Sequence, residues 1–120
     1  MVLDQQGLSS QKMKLTSSYY NRYAKQIILK KIGLHGQKKI ANSKILIIGM
    51  GGLGCPLLLY LANSGIGNIG IVDNDIVDIT NLNRQVLFTT KDIGKNKVDL
   101  AKKFVKKINN KIKIKIFNTK

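Results

Sequence analysis

The sequence has no tryptophan, no glutamate, one proline, one cysteine and one histidine in 120 residues. A single cysteine excludes an internal disulfide framework and a cysteine-only zinc site within these residues. A reducing compartment is the corresponding expectation, cytoplasmic or, for an organelle-encoded chain, the plastid stroma. His35 lies in a glycine-flanked segment with no cluster of other ligating side chains, so no metal site is expected here. The opening run MVLDQQGLSSQKMK shows no apolar stretch followed by a small-residue cleavage site, so no secretory signal is expected.

Negative charge is equally scarce: 21 basic against 6 acidic side chains give a formal charge of +15. By itself that favours an anionic partner such as nucleic acid. The charge is unevenly placed, with +8 in residues 1–44, −2 in residues 45–90 and +9 in residues 91–120. Lys supplies 19 of the cations, and Lys, Ile and Asn together make 47 residues, the bias that AT-rich coding imposes on whole proteomes. Nucleic acid is therefore not the expected partner.

Residues 45–72 carry no charged side chain, a length that would suffice for a bilayer span. Gly49, Gly51, Gly52, Gly54, Gly65, Gly67 and Gly70, with Pro56 and polar Asn63, Ser64 and Asn68, divide the stretch into three shorter elements, so no membrane helix is expected.

Residues 1–16 are polar and aperiodic and are expected to form a loose amino-terminal arm, leaving residues 17–120 as one domain. Tyr19 to Ala41 reads as short helical pieces interrupted at Gly33 and Gly36. KILIIG is a short β-branched run of the kind buried on both sheet faces. LGCPLLLYLANSG reads as a helix with Pro56 in its first turn and Gly65 as its stop. NIGIVD is a second strand ending on Asp73, and together these make a right-handed βαβ unit. Asn96 to Ile108 places Val98, Ala101, Phe104, Val105 and Ile108 on one helix face and lysines on the other. KIKIKIF alternates strictly as a third strand, with Ile112, Ile114 and Ile116 on one side. The predicted fold is α/β, a Rossmann-like parallel sheet with a glycine-rich nucleotide loop, truncated after its third strand.

GMGGLG, with Gly49, Gly51, Gly52 and Gly54, fits G-x-G-x-x-G between a strand and a helix, where backbone N–H groups and the helix dipole favour a phosphate. Asp73, nineteen residues past Gly54, stands where an acid accepts hydrogen bonds from ribose hydroxyls. This constellation alone fits an NAD-dependent domain as well as a mononucleotide site. The following run VDNDIVDITNLNRQ adds Asp75, Asp78, Asn81 and Arg84, and IGKNKV adds Lys97. Two cations beside a glycine loop suit cleavage of a triphosphate better than hydride transfer. Asn81, Asp75 and Asp78 also have ordinary roles as turn and capping residues. Cys55 reads as a small buried packing residue rather than a reactive thiol.

From NRYAKQIIL, GMGGLG, VDNDIVDITNLNRQ and IGKNKV, in that order and spacing, residues from about Tyr20 to Phe117 resemble the amino-terminal part of the ThiF/MoeB family, the bacterial relatives of ubiquitin-activating enzymes. RYAKQIIL and GLHGQKK resemble its MoeB side, the molybdopterin-synthase adenylyltransferases. The resemblance implies an ATP-dependent adenylyltransferase using ATP and Mg²⁺ on the carboxy-terminal glycine of a ubiquitin-like sulfur carrier of the MoaD or ThiS type. That chemistry serves molybdopterin or thiamine biosynthesis, and a branch of the family acts on a modified tRNA nucleoside. It further implies a homodimer, Gly52 against the phosphates, Asp73 on the ribose, Thr80, Asn81, Leu82, Asn83 and Arg84 around the nucleotide, and Lys97 on the phosphate chain. Lys25 stands where family members place an arginine that reaches a neighbouring subunit's ATP. Family members continue with a magnesium-binding aspartate and zinc-binding cysteine pairs, so independent catalysis by these residues is not expected. A non-catalytic binding or dimerisation module is the alternative.

Overall fold

The computed structural model describes residues 2–5 and 16–120. The elements run β1 (Val2–Gln5), α1 (Ser17–Ile27), α2 (Gly33–Asn42), β2 (Lys44–Ile48), α3 (Gly54–Ser64), β3 (Asn68–Val72), α4 (Lys97–Ile108) and β4 (Lys113–Phe117), with short 3₁₀ turns at Ile79–Asn81 and Thr90–Asp92. The sheet order is β1-β2-β3-β4. β2, β3 and β4 are parallel, with Ile47 beside Ile71 and Ile71 beside Ile116, the Rossmann-like arrangement read from the sequence.

The arm expected to be loose contributes a strand. Val2–Gln5 pairs antiparallel with β2, Val2 opposite Ile47 and Gln5 opposite Lys44. The unpaired edge of β2 offers a row of backbone donors and acceptors, and four residues from elsewhere in the chain satisfy it. Residues 6–15 of that arm lie outside the described residues.

Successive right-handed crossovers in one direction put α3 and α4 on the same side of the sheet. The core forms there: Ile45, Ile47, Ile69 and Ile71 meet Cys55, Leu58 and Ala62 of α3 and Val98, Ala101 and Val105 of α4. Among the described residues the strands are therefore covered on one face, not on both as their apolar runs suggest. On the opposite face Leu46, Gly70 and Phe117 floor an open groove of about 540 Å³ edged by Lys44, Lys113 and Lys115.

α1 and α2 sit at the carboxy-terminal ends of α3 and α4, where the last carbonyls of a helix lack partners. Gln26 Nε2 and Gln37 Nε2 both donate to Ser64 O, at 3.0 and 3.2 Å. Arg22 Nη1 donates to Ile108 O at 3.1 Å, and Asn109 Nδ2 to Tyr23 Oη at 3.3 Å. Gly65 turns the chain at φ +100°, which favours glycine, and a Cβ there would crowd Gln37 Nε2 at 2.7 Å and the Tyr23 ring at 3.0 Å. Gly36, expected as an interruption, lies inside α2. Residues 45–72 form strand, helix and strand, and no helix among the described residues is long and apolar enough to cross a membrane.

Candidate functional site

The parallel strands deliver their carboxy-terminal ends to one rim, the usual ligand crevice of such sheets. The chain leaves β2 at Gly49, whose φ of +96° turns it toward the start of α3 while its N–H donates to Val72 O at 2.8 Å. Gly54 packs against the Gly49 carbonyl so closely that a Cβ would collide with that backbone. Gly51 has nothing within 4 Å of a would-be Cβ, so the loop presents bare backbone to open space.

Asp73, one residue past β3, faces this loop. Its Oδ2 accepts from Met50 N at 2.6 Å and its Oδ1 from Asp75 N at 2.7 Å. One carboxylate thus ties the glycine loop to the segment after β3 and keeps a remaining lone pair on each oxygen for a ligand. The Met50 N–H is a participant that residue-type motifs do not reveal.

Arg84 lies across the loop: a Cβ on Gly52 would meet Arg84 Cδ at 3.4 Å and Nε at 3.7 Å. Its Nη1 donates to Thr80 O at 3.0 Å and Asn83 Oδ1 at 3.1 Å, which aims an exposed guanidinium along the loop. The turn that holds it opens on a reciprocal capping box. Asp78 Oδ1 accepts from Thr80 N and Oγ1 at 2.9 and 2.7 Å, and Asn81 Oδ1 accepts from Asp78 N at 2.9 Å. The two Thr80 donors, its backbone N–H first, hold the exposed Asp78 carboxyl below its ordinary value. Asp78 and Asn81 therefore take the capping roles open to them in the sequence. Leu82 packs its side chain against the core, so only its backbone faces the turn. Neighbouring Gln85 is 3% exposed, and its Oε1 has no hydrogen-bond partner among the described residues.

Lys97, first residue of α4, is 4% exposed, an unusual position for a lysine. Its nearest acid is the exposed Asp75 carboxylate at 4.0 Å, and its N–H donates to Asp75 O at 3.1 Å. Buried Cys55 lies close enough to feel both Lys97 and Asp73, but burial dominates and pushes its thiol up to about 11. The thiol is a protonated packing group, as read from the sequence. The structure thus brings Asp73 and Arg84 against the loop of Gly49, Gly51, Gly52 and Gly54, sets Thr80, Asn81 and Asn83 in the turn that carries Arg84, and ties Lys97 to Asp75 in the segment after Asp73. Lys25 is not among them: it is exposed on α1, whose contacts lie at the far end of α3. His35 is exposed in α2, and among the described residues no three His, Cys, Asp or Glu side chains group as a metal site.

The fold recurs in solved structures. Escherichia coli tRNA N6-threonylcarbamoyladenosine dehydratase TcdA, solved in complex with ATP, superposes with a TM-score of 0.83 over 89% of this chain and 43% of its own, at 24% identity, which speaks to the fold alone. E. coli MccB, solved with AMPCPP and MccA, is 42% identical with a TM-score of 0.67, over 70% of this chain and 25% of its own. A protein of Porphyra purpurea named probable molybdopterin-synthase adenylyltransferase is 55% identical over 101 residues, 84% of this chain. The chain spans about a quarter of that relative, 26% of its length. Residues 23–120 match the sequence profile of the ThiF family, from within α1 through the glycine loop to the last residue, and the chain belongs to that family.

Proposed function

We propose that the glycine-loop site binds ATP and that the chain carries the nucleotide-binding part of an adenylyltransferase acting on the carboxy-terminal carboxylate of a ubiquitin-like sulfur carrier of the MoaD or ThiS type. The supporting observation is Asp73 bonded to the Met50 N–H with Arg84 laid along Gly52: a ribose acceptor, a bare phosphate cradle and a cation share one loop. Buried Lys97, whose pairing with exposed Asp75 is long at 4.0 Å, supplies a second charge that an incoming phosphate chain would neutralise.

In the proposed reaction a carboxylate oxygen attacks the α-phosphorus, the α–β bridging bond breaks, and pyrophosphate leaves with an acyl-adenylate formed. Both reactants are anions, so the reaction needs cations preset toward the leaving group and a fixed attack geometry. Arg84, held by Thr80 and Asn83, meets the first need without reorganising. The loop N–H groups and the amino-terminal end of α3 meet the second. Mg²⁺ would arrive as the partner of the triphosphate, since the described side chains offer no carboxylate cage for a resident ion. A second subunit supplying Lys25 completes the reading.

Titrating the chain with ATP and NAD separately tests nucleotide choice: ATP binds, and excess NAD fails to displace it. Arg84→Ala weakens ATP at least about 10-fold, the value of one charge-assisted contact. Equal displacement by NAD, or unchanged ATP affinity in Arg84→Ala, rejects the reading. Carrier-dependent pyrophosphate exchange tests the transfer step itself, and none is expected from these residues alone.

A further inference from the structure

The sheet order leaves the outer side of β4 without a strand among the described residues. The ladder to β3 uses alternate residues of β4: Lys113 N donates to Gly67 O at 2.9 Å, and Phe117 O accepts from Asp73 N at 3.2 Å. Backbone direction alternates along a strand, so the N–H and C=O groups of Ile114 and Ile116 point outward, where a further strand would pair with them.

Side chains along this edge are sorted by face. Lys113, Lys115 and Phe117 stand on the open face, with Lys115 Nζ 5.5 Å from the centre of the Phe117 ring. Ile114 and Ile116 stand on the helix face, half-buried against the core. Beside Ile116, Lys102, Lys103 and Lys106 of α4 border a groove of about 710 Å³. Lysine stems are apolar up to the charged head, so this groove suits aliphatic side chains while the ammonium groups stay in water.

Charge decides what the edge accepts. Like charges directly opposite across a ladder are unfavourable, so Lys113 and Lys115 repel a second copy of KIKIKIF and favour acids. Lysine on an edge strand guards against self-pairing, and the same guard selects a partner of opposite charge. These 120 residues do not supply that partner: they contain no Glu, and their six Asp nowhere alternate with apolar residues over a strand's length. A nucleic acid would answer the lysines and leave the outward N–H groups and the isoleucines unmatched.

We propose that the free edge of β4 docks an extended segment of another protein in which acidic and aliphatic residues alternate. The acids lie beside Lys113 and Lys115, and the aliphatic residues beside Ile114 and Ile116. This surface is separate from the glycine loop, which follows β2 two strands away, and its test uses no nucleotide.

The probe is a fluorescein-labelled heptapeptide of alternating aspartate and valine, followed by anisotropy as the whole chain is added. Saturable binding is expected, at least about 10-fold weaker in about 1 M salt than in about 0.1 M, because the screening length shortens. A peptide of alternating lysine and valine does not bind. Methylating every second backbone nitrogen of the aspartate peptide abolishes binding in one phase, which faces β4, and leaves it within about 2-fold in the other, which faces solvent. Lys113→Glu/Lys115→Glu, at exposed positions, weakens binding at least about 10-fold. Ile114→Pro removes an outward N–H and no bond to β3, so it abolishes binding with circular dichroism unchanged. Four results overturn the proposal: no saturable binding; equal binding of the two methylated peptides, which reduces the contact to charge alone; binding indifferent to Lys113→Glu/Lys115→Glu; or displacement of the peptide by a short single-stranded RNA that binds more tightly, which assigns the lysines to nucleic acid.

Discussion

α3 and α4 cover the same sheet face, have nearly equal lengths of 11 and 12 residues, and differ in what they turn outward. α4 follows the rule for a surface helix: Val98, Ala101 and Val105 inward, Lys102, Lys103, Lys106 and Lys107 exposed. α3 buries an equivalent stripe yet exposes leucine and tyrosine. Both come from a chain with abundant lysine, so composition alone does not place lysine on every exposed helix. The difference teaches that α4's outer face is made for water, whereas α3's starts at the glycine loop and turns apolar side chains outward.

The largest way to disturb this contrast is at the loop that opens α3. Gly54→Ala drives a Cβ into the Gly49 carbonyl, so the loop must open; a loss of about 3 kcal/mol in urea unfolding, together with ATP binding, is expected. Retained ATP affinity would show that the loop tolerates a wider turn. Next comes a test of the two sides of α3. Leu58→Ala, fully buried, is expected to cost about 2–5 kcal/mol. Leu57→Ala, measured at concentrations where the chain is monomeric, is expected to stay within about 0.5 kcal/mol. Equal losses would mean that the outer stripe already packs within one molecule.

Replacing Lys102, Lys103 and Lys107 together with Gln sharpens the other half of the comparison. Their self-repulsion should lessen, raising the unfolding midpoint slightly in low salt and not at about 1 M, where the screening length is about 3 Å. A salt-independent loss would reveal packing by the lysine stems. The smallest effect is at high pH. Because the folded Cys55 thiol sits near 11, above its unfolded value, the unfolded chain ionises first as pH rises. Its contribution is therefore fully present below the unfolded pKa and is lost on rising toward 11. Stability should fall more steeply with pH there in the unmodified chain than in Cys55→Ala; parallel curves would show that the thiol ionises freely in the fold.

How much of this was legible beforehand differs by region. β2, α3 and β3 announce themselves because glycines at 49, 54 and 65 punctuate apolar runs, and the structure uses them at a turn, a close backbone approach and a left-handed stop. β1 was illegible, since VLDQ acquires its strand character only from a partner some forty residues away. The bare sheet face was hidden for a related reason: KILII reads the same whether one face or both are covered, and crossover direction decides which. At the site, Asp73, Arg84 and Lys97 were legible from spacing, but the burial of Lys97 and the Met50 N–H were not, because backbone donors leave no trace in residue identity. The roles of Arg22, Tyr23 and Gln26 as ties across helix ends likewise depend on the meeting of distant segments.

The Asp73 carboxylate has a consequence for mutational work on this site. Both of its oxygens face backbone N–H groups, from Met50 and from Asp75. An asparagine there must point its amide at one of them, donor against donor, whichever way it flips. Asp73→Asn therefore deforms the loop before any nucleotide arrives, and a weakened affinity in that variant measures scaffolding and sugar recognition together. Narrowing the question to the sugar alone calls for changing the ligand, with 2′-deoxy or 3′-deoxy nucleotides, and leaving the acid in place.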